Sequence, residues 1–418
     1  MGSITDVAVI GAGPYGLSLA AYLRARGADI RVFGFPMQTW REAMPVGMKL
    51  KSEGFASNIS DPDGAFPLGV FCREKNIPYA DTNLLVSLET FISYGEAFQE
   101  RFVPDLDQKK VVSVDIAPQG FDLRLESGET VAVRRVVIAS GIRSFAYYPP
   151  ELSGLPKELL SHSANFGDAA HLAGREVAVI GAGASAADVA ALLRLRGARV
   201  TIITRRPGIR FQSPLGERSL LDKIRAPMTA LGPGWKSFLC VKGPLLFHAM
   251  PESFRVDVVR RYLGPAPAWY ARQDVEGHVP YILQSQVIKA EDTGQRARLT
   301  LRHADGSIRE ITADHIVAAT GYRVDTRKLT FLSGRIAAGL ARADGAPVLS
   351  RNFESTVPGL YFVGTSAANS FGPMLRFVHG TGFASRRTAN HIASMIRRGA
   401  FVSVPKPRNS AGIEAPRQ

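Results

Sequence analysis

The chain has 418 residues, 45% of them apolar, only two cysteines and a formal charge of +14 at pH 7. That size predicts two or three domains with a large core; Cys72 and Cys240, outside any CxxC pair, exclude a disulfide framework and a cysteine-built metal centre, and no metal is expected. The absence of about 18 consecutive apolar residues excludes a membrane-spanning helix, and the basic residues are spread without a polybasic block, which predicts the surface of an enzyme with anionic cofactors and not a nucleic-acid-binding face.

The chain opens on Val7-Ala-Val-Ile-Gly-Ala-Gly-Pro-Tyr-Gly16. A strand is predicted from about Ile4, which leaves no room for a signal peptide and gives a cytoplasmic expectation. A glycine turn and an amphipathic helix, Leu17 to Leu23, come next. In that context Gly11 makes the tight turn, Gly13 lets the backbone approach a pyrophosphate and Gly16 lets helix and strand pack closely, with Pro14 and Tyr15 between. The helix N-terminus supplies N–H groups and a positive dipole end. Gly27 is a candidate C-cap, and Asp29 to Phe33 the next strand. Gly34 stands where an acid would hold a ribose. Trp40-Arg41 and the polar stretch Met48 to Asn58 read as loop that can line a site. Residues 81–102 show helical spacing at Leu85, Leu88, Phe91, Ile92 and Phe98. From Val111 the period becomes two, with a turn at Ser127-Gly128 and a return strand, Val136 to Gly141.

Val177-Ala-Val-Ile-Gly-Ala-Gly183 repeats Val7 to Gly13 at a shift of 177 − 7 = 170 residues. One GxGxxG match is weak; a pair in the same context predicts two dinucleotide-binding units. The second turn reads Gly181-Ala-Gly183-Ala-Ser185-Ala186, with alanine in place of the third glycine. Its second strand, Val200 to Ile203, ends in Thr204-Arg205-Arg206, where cations suit an adenosine 2′-phosphate. Residues 207–285 read as an irregular insertion rich in proline and aromatics. A short basic amphipathic helix, Ser253 to Tyr262, is predicted within it. The insertion is read as a lid, a membrane-surface contact or plain packing. Leu299 and Leu301 start a second antiparallel hairpin with a turn at Asp305-Gly306 and a return strand, Ile316 to Tyr322. Then come a strand from Gly359 to Gly364, the stretch Phe371 to His379, and a helix, Gly382 to Arg397, whose start can hold a cofactor's polar edge. Residues 405–418 are expected to be a flexible tail.

These pieces predict an α/β chain with two Rossmann-like domains, the second inserted in the first, each with a small antiparallel β insert. The expected first domain is 1–168 with 312–404, and the second 169–311. The chain resembles the single-component FAD- and NADPH-dependent monooxygenases, a group of flavin-containing monooxygenases, Baeyer–Villiger monooxygenases and lysine/ornithine N-hydroxylases. The resemblance rests on Gly11 to Gly16, Gly181 to Ser185 and Ala319-Thr320-Gly321-Tyr322, the last like the segment that links the two domains. Leu152-Ser-Gly154 and His162 to Phe166 look like separated halves of the FxGxxxHxxxW fingerprint.

The resemblance implies FAD on the first unit and NADPH on the second. It implies that hydride passes to the flavin, that oxygen adds at C4a, and that the resulting (hydro)peroxide transfers one atom to a small molecule. Some short bacterial chains with this start look like urate hydroxylases. The cofactor contacts expected on this basis are Gly11, Gly13, Pro14, Tyr15, Gly16, Trp40, Ser52, Gly181, Gly183, Ser185, Arg205, Arg206, Thr320, Gly321, Gly364, Met374 and Leu375. Asn58 is expected at the flavin C4a edge, and Arg41 and Lys51 are expected to balance the reduced flavin's charge. The competing readings are an FAD-dependent NAD(P)H:quinone-type reductase, a flavin-dependent RNA-modifying enzyme and a non-enzymatic dinucleotide-binding protein.

Overall fold

A computed structural model describes residues 4–399, apart from 215, 217, 263 and 265. The expected tail at 405–418 and the last residues of the first domain lie outside the described residues. The first sheet has Thr5–Ile10 at its heart, flanked by parallel Ile30–Phe33 and parallel Thr130–Ile138. Thr130–Ile138 serves two partners. Its first half pairs antiparallel with Gly120–Leu125, and its second half pairs parallel with Leu360–Phe362. The alternation at 121–126 is realised, with Phe121, Leu123 and Leu125 buried and Asp122, Arg124 and Glu126 exposed.

The second sheet is parallel throughout, in the order Leu160–His162, His315–Ala318, Glu176–Ile180, Arg199–Ile203 and Tyr281–Ile282. This corrects the expected boundaries. Leu160–His162 and His315–Ala318 were assigned to the first domain by sequence, yet they hydrogen-bond into the second sheet. The crossings therefore fall near 146–159 and 319–322. The hairpins also differ. In the first unit the hairpin strand Gly120–Leu125 joins the main sheet, whereas Ser285–Asp292, Ala297–His303 and Ile308–Ala313 form a sheet of their own.

The 170-residue repeat is structural. The first helix, Pro14–Arg24, corresponds to Ala184–Leu195, and Gly27 to Gly197, both with positive φ. The first helix ends on Ala25, so Gly27 lies beyond the C-cap instead of forming it. Leu17, Leu19, Ala20 and Leu23 are wholly buried between sheet and the C-terminal helix Thr381–Arg397, where each leucine stabilises by roughly 1.5–3 kcal/mol.

The helix read over 81–102 begins only at Leu88 and ends at Phe102. Ser87 caps it by accepting from the Thr90 N–H at 3.1 Å. Its Phe91, Tyr94 and Phe98 are buried, the first of them under Trp40 at 4.6 Å between ring centroids.

The insertion 207–285 is not irregular. It folds into helices Leu220–Arg225, Trp235–Lys242, Pro244–Ala249, Glu252–Arg261 and Arg272–Val275. Three of these lean on the C-terminal part of the first unit. Phe247 lies against Gly372, His248 stacks on Phe371 at 5.0 Å, and Arg260 pairs with Asp344. Among the described residues, no helix is long and apolar enough to cross a membrane.

Candidate dinucleotide sites

Both glycine turns sit at the carboxyl ends of their central strands. Gly11 donates to the Phe33 carbonyl at 2.8 Å, and Gly181 to Ile203 at 2.9 Å. A Cβ on Gly11 would lie 2.3 Å from the Ala139 oxygen, and one on Gly181 2.4 Å from the Ala319 oxygen. Both therefore have to be glycine, with φ of +115° and +146°. Gly16 is held to glycine by contact, since its Cβ would fall 1.8 Å from the Gly11 oxygen. Gly13 is different: a Cβ there meets no protein atom within 4 Å, which is the open side a pyrophosphate would use.

The helices Pro14–Arg24 and Ala184–Leu195 start at Gly13 and Gly183 with no side-chain cap, leaving first-turn N–H groups for an anion. Ser185 lies in the first turn of the second helix. The Ser140 hydroxyl, one residue past Ala139 on the first turn, is buried without a partner. A bound group with a polar edge would satisfy it. On these grounds the first turn fits a dinucleotide.

The same register makes the ends of the two second strands equivalent. Ile10 pairs with Phe33 and Ile180 with Ile203, so Gly34 and Thr204 occupy equivalent positions, 34 + 170 = 204. A Cβ on Gly34 would lie 3.3 Å from the Ala12 nitrogen, so close packing on the turn takes the place of the ribose-binding acid. In the second unit Thr204 is buried and its hydroxyl accepts from the Arg206 N–H at 3.1 Å. The guanidinium groups of Arg205 and Arg206 are exposed, and no ion pair engages either of them among the described residues. They fit a phosphate.

The C-terminal segment is tied to the first turn. The Tyr15 hydroxyl donates to the carbonyls of Leu375 at 3.0 Å and Phe377 at 2.8 Å. Gly364, φ +73°, lies under the Tyr15 ring, and a Cβ on Gly380 would meet the hydroxyl at 2.2 Å. Burial raises the Tyr15 pKa far above its ordinary value, so the phenol stays a donor. Met374 and Leu375 are buried beside it.

Thr320 and Gly321 lie where the chain leaves the second sheet. The Thr320 hydroxyl donates to the Tyr147 carbonyl, and the Gly321 carbonyl accepts from the Tyr147 N–H at 3.0 Å. His162 lies beneath this crossing, wholly buried. Its Nδ1 accepts from the Ala164 N–H at 2.9 Å, so Nε2 carries the proton and donates to the Gly321 carbonyl at 3.0 Å. Burial lowers the His162 pKa to about 4, and the ring is neutral.

The three residues expected to act chemically are not brought together by any shared partner. Arg41 pairs with Glu96 at 3.2 Å on the surface. Lys51 pairs with Asp188 at 2.8 Å, so its charge is already met. Asn58 donates to the Phe55 carbonyl at 2.9 Å and accepts from the Leu68 N–H at 2.8 Å, which makes it a brace for its own loop. Each of the three therefore has a partner within the protein. Ser52, whose carbonyl accepts from Ser57 at 3.4 Å, belongs to the same loop. The residue overlooked in the sequence is Asp188. A lone acid in the helix Ala-Ser-Ala-Ala-Asp-Val-Ala-Ala-Leu-Leu was the available signal. Tyr270, from the insertion, completes the contact by donating to the Lys49 carbonyl at 3.0 Å, with Asp188 Oδ1 at 3.3 Å.

Two units on one chain, each with a glycine turn between a parallel strand pair and a helix, define a two-dinucleotide oxidoreductase. The profile of the pyridine nucleotide-disulphide oxidoreductase family matches residues 5–222, and the chain belongs to that family. Both cysteines are free and buried. Among curated proteins it is similar to the indole-3-pyruvate monooxygenase YUCCA1 of Oryza sativa subsp. japonica, 26% identical over 48% of this chain and 48% of that protein. It is also similar to a ferredoxin–NADP reductase of Salinispora arenicola (strain CNS-205), 29% identical over 54% of this chain and 62% of that one. The matches thus span about half to three-fifths of those relatives. The fold is that of the ornithine N-hydroxylase from Kutzneria sp. 744, at TM-score 0.74 and 18% identity over 95% of this chain and all of the other. The ornithine hydroxylase of Pseudomonas aeruginosa superposes with TM-score 0.71 at 16% identity, covering 94% of this chain and all of that one.

Proposed function

We propose that the chain is an FAD-dependent monooxygenase that uses NADPH and O2 to oxygenate a small molecule. The observation that carries this reading is the pair of glycine turns, the first open at Gly13 and the second leading to the exposed Arg205-Arg206 pair. Gly11, Gly13, Tyr15 and Gly16 would hold FAD, with the start of Thr381–Arg397 and the buried Ser140 hydroxyl beside it. Gly181, Gly183 and Ser185 would hold NADPH, with Arg205 and Arg206 on its 2′-phosphate. Bound FAD supplies hydride acceptance and oxygen activation. The protein's residues position the two dinucleotides and exclude water. The overall balance is NADPH + H⁺ + O2 + substrate → NADP⁺ + H2O + oxygenated substrate. The ornithine-hydroxylase fold and the similarity to an indole-3-pyruvate monooxygenase support oxygenation.

The similarity to a ferredoxin–NADP reductase keeps electron transfer without oxygenation as the second reading. The test is the stoichiometry of NADPH and O2 consumption by the FAD-loaded protein against amines, sulfides, ketones and urate. A substrate-dependent product containing one atom from ¹⁸O2 is expected. Rapid reduction of quinones or ferredoxin with no labelled product would replace the proposal by the reductase reading.

A further inference from the structure

The stretch Phe371 to His379 sits under the inserted helices. Tyr15 grips the carbonyls on either side of Arg376, so this residue is fixed relative to the first glycine turn. Helix Trp235–Lys242 packs against Pro373–Arg376. The Arg376 side chain donates from Nη2 to the Tyr262 carbonyl at 2.8 Å, and its Nε is buried without a partner. Arg255, on helix Glu252–Arg261, repeats the arrangement: Nη1 lies 3.4 Å from the Ser370 carbonyl and Nε is buried without a partner. Neither guanidinium has a carboxylate within ion-pair distance among the described residues. Burial and the nearby Lys242 lower the His379 pKa, which favours the neutral ring and adds no third cation. Two half-buried guanidinium groups on one seam, each with a buried, unpartnered Nε and a single carbonyl contact, call for an anion. A guanidinium fork matches a planar oxyanion.

We infer that the seam between the inserted helices and residues 370–376 binds an oxyanion of the molecule being oxidised, with Arg376 as its principal ligand and Arg255 as its second. Calling that anion the substrate rests on the oxygenation reading; the anion site itself does not. The seam is built from both units, so the substrate would be held against the flavin unit by residues that the insertion brings. The phosphate-selecting pair Arg205-Arg206 belongs to the other dinucleotide.

Nitrate is the probe, a planar oxyanion small enough to enter any pocket. Calorimetric titration uses the FAD-loaded protein with NADP⁺ saturating, so that both dinucleotide sites are filled. One nitrate site is expected in the wild type, weakened at least tenfold in Arg376→Gln, less in Arg376→Lys and several-fold in Arg255→Gln. FAD content and melting temperature show that each variant is folded. No nitrate site in the wild type, or equal affinity in Arg376→Gln and the wild type, overturns the inference. Loss of FAD from Arg376→Gln without any wild-type nitrate site would assign the guanidinium to the flavin and overturn it equally. The titration needs no turnover. Oxygenation without a nitrate site therefore sinks only this inference, and a nitrate site without oxygenation sinks only the monooxygenase reading.

Discussion

Lys51 of the first unit and Asp188 of the second form a 2.8 Å ion pair across the boundary between them. Asp188 is almost fully buried, whereas Lys51 is 28% exposed, and Tyr270 closes the group. Lys51→Ala leaves a buried carboxylate with one hydroxyl partner and is expected to lower stability by about 2 kcal/mol, below the roughly 3–5 kcal/mol of a fully buried pair. In denaturant titrations the Lys51→Ala/Asp188→Asn double variant should lose less than the sum of the two singles. Additive losses would show that the two residues do not act as a pair.

Two glycines of the first turn separate folding from binding. Gly16→Ala drives a Cβ into the Gly11 carbonyl and should destabilise the FAD-free protein by about 3 kcal/mol. Gly13→Ala meets nothing within 4 Å and should melt like the wild type without FAD, within about 0.5 kcal/mol, while binding FAD at least tenfold more weakly. Full FAD affinity in Gly13→Ala would place the pyrophosphate elsewhere.

Arg205→Ala/Arg206→Ala tests the choice of nicotinamide dinucleotide. A charge-assisted hydrogen bond contributes about 1.5–3 kcal/mol. The double variant should therefore raise the KM for NADPH by about tenfold or more and leave that for NADH unchanged. Equal effects on both would reduce the pair to general surface charge.

The neutral His162 at the crossing makes the fold acid-sensitive. Its pKa is held near 4, below the unfolded value of 6.5. Between those values the unfolded chain binds more protons than the folded one, so stability rises with pH there. The full contribution is present above pH 6.5 and is lost as the pH falls towards 4, about 3 kcal/mol in all. Replacing His162 with Gln should flatten the stability profile between pH 6.5 and 4. A slope unchanged from the wild type would assign the acid sensitivity to other groups.

The repeat made the two units legible, because the strand, glycine turn and helix that form each site follow one another directly in the sequence. Gly11 and Gly181 could be placed from sequence since nothing else fits against Ala139 and Ala319. The sheet membership of Leu160–His162 and His315–Ala318 was not legible: strand order is set by pairings more than 100 residues apart, and a short apolar run does not name its partner. Of the inserted helices, Glu252–Arg261 was legible as the basic amphipathic stretch Ser253 to Tyr262, whereas Trp235–Lys242 and Pro244–Ala249 are short and start at Gly234 and Pro244, where glycine and proline read as loop. The partners of Arg41 and Lys51 were not legible, because a sequence shows charges and not what they pair with. Glu96 and Asp188 become visible as partners only when the chain is folded.

The Tyr15 grip on Leu375 and Phe377, with the pairing of Thr130–Ile138 and Leu360–Phe362, has a consequence for biosynthesis. The first unit begins the chain but cannot close its sheet until Leu360 has emerged from the ribosome, 360 − 138 = 222 residues after Ile138. At about 5–20 residues per second this is a wait of roughly 10–45 s. All strands of the second sheet lie within 160–318, so the later-encoded unit can finish first. During that interval the edge of Thr130–Ile138 that Leu360–Phe362 will cover stands open, which marks nascent chains of this layout as clients for chaperones on the ribosome.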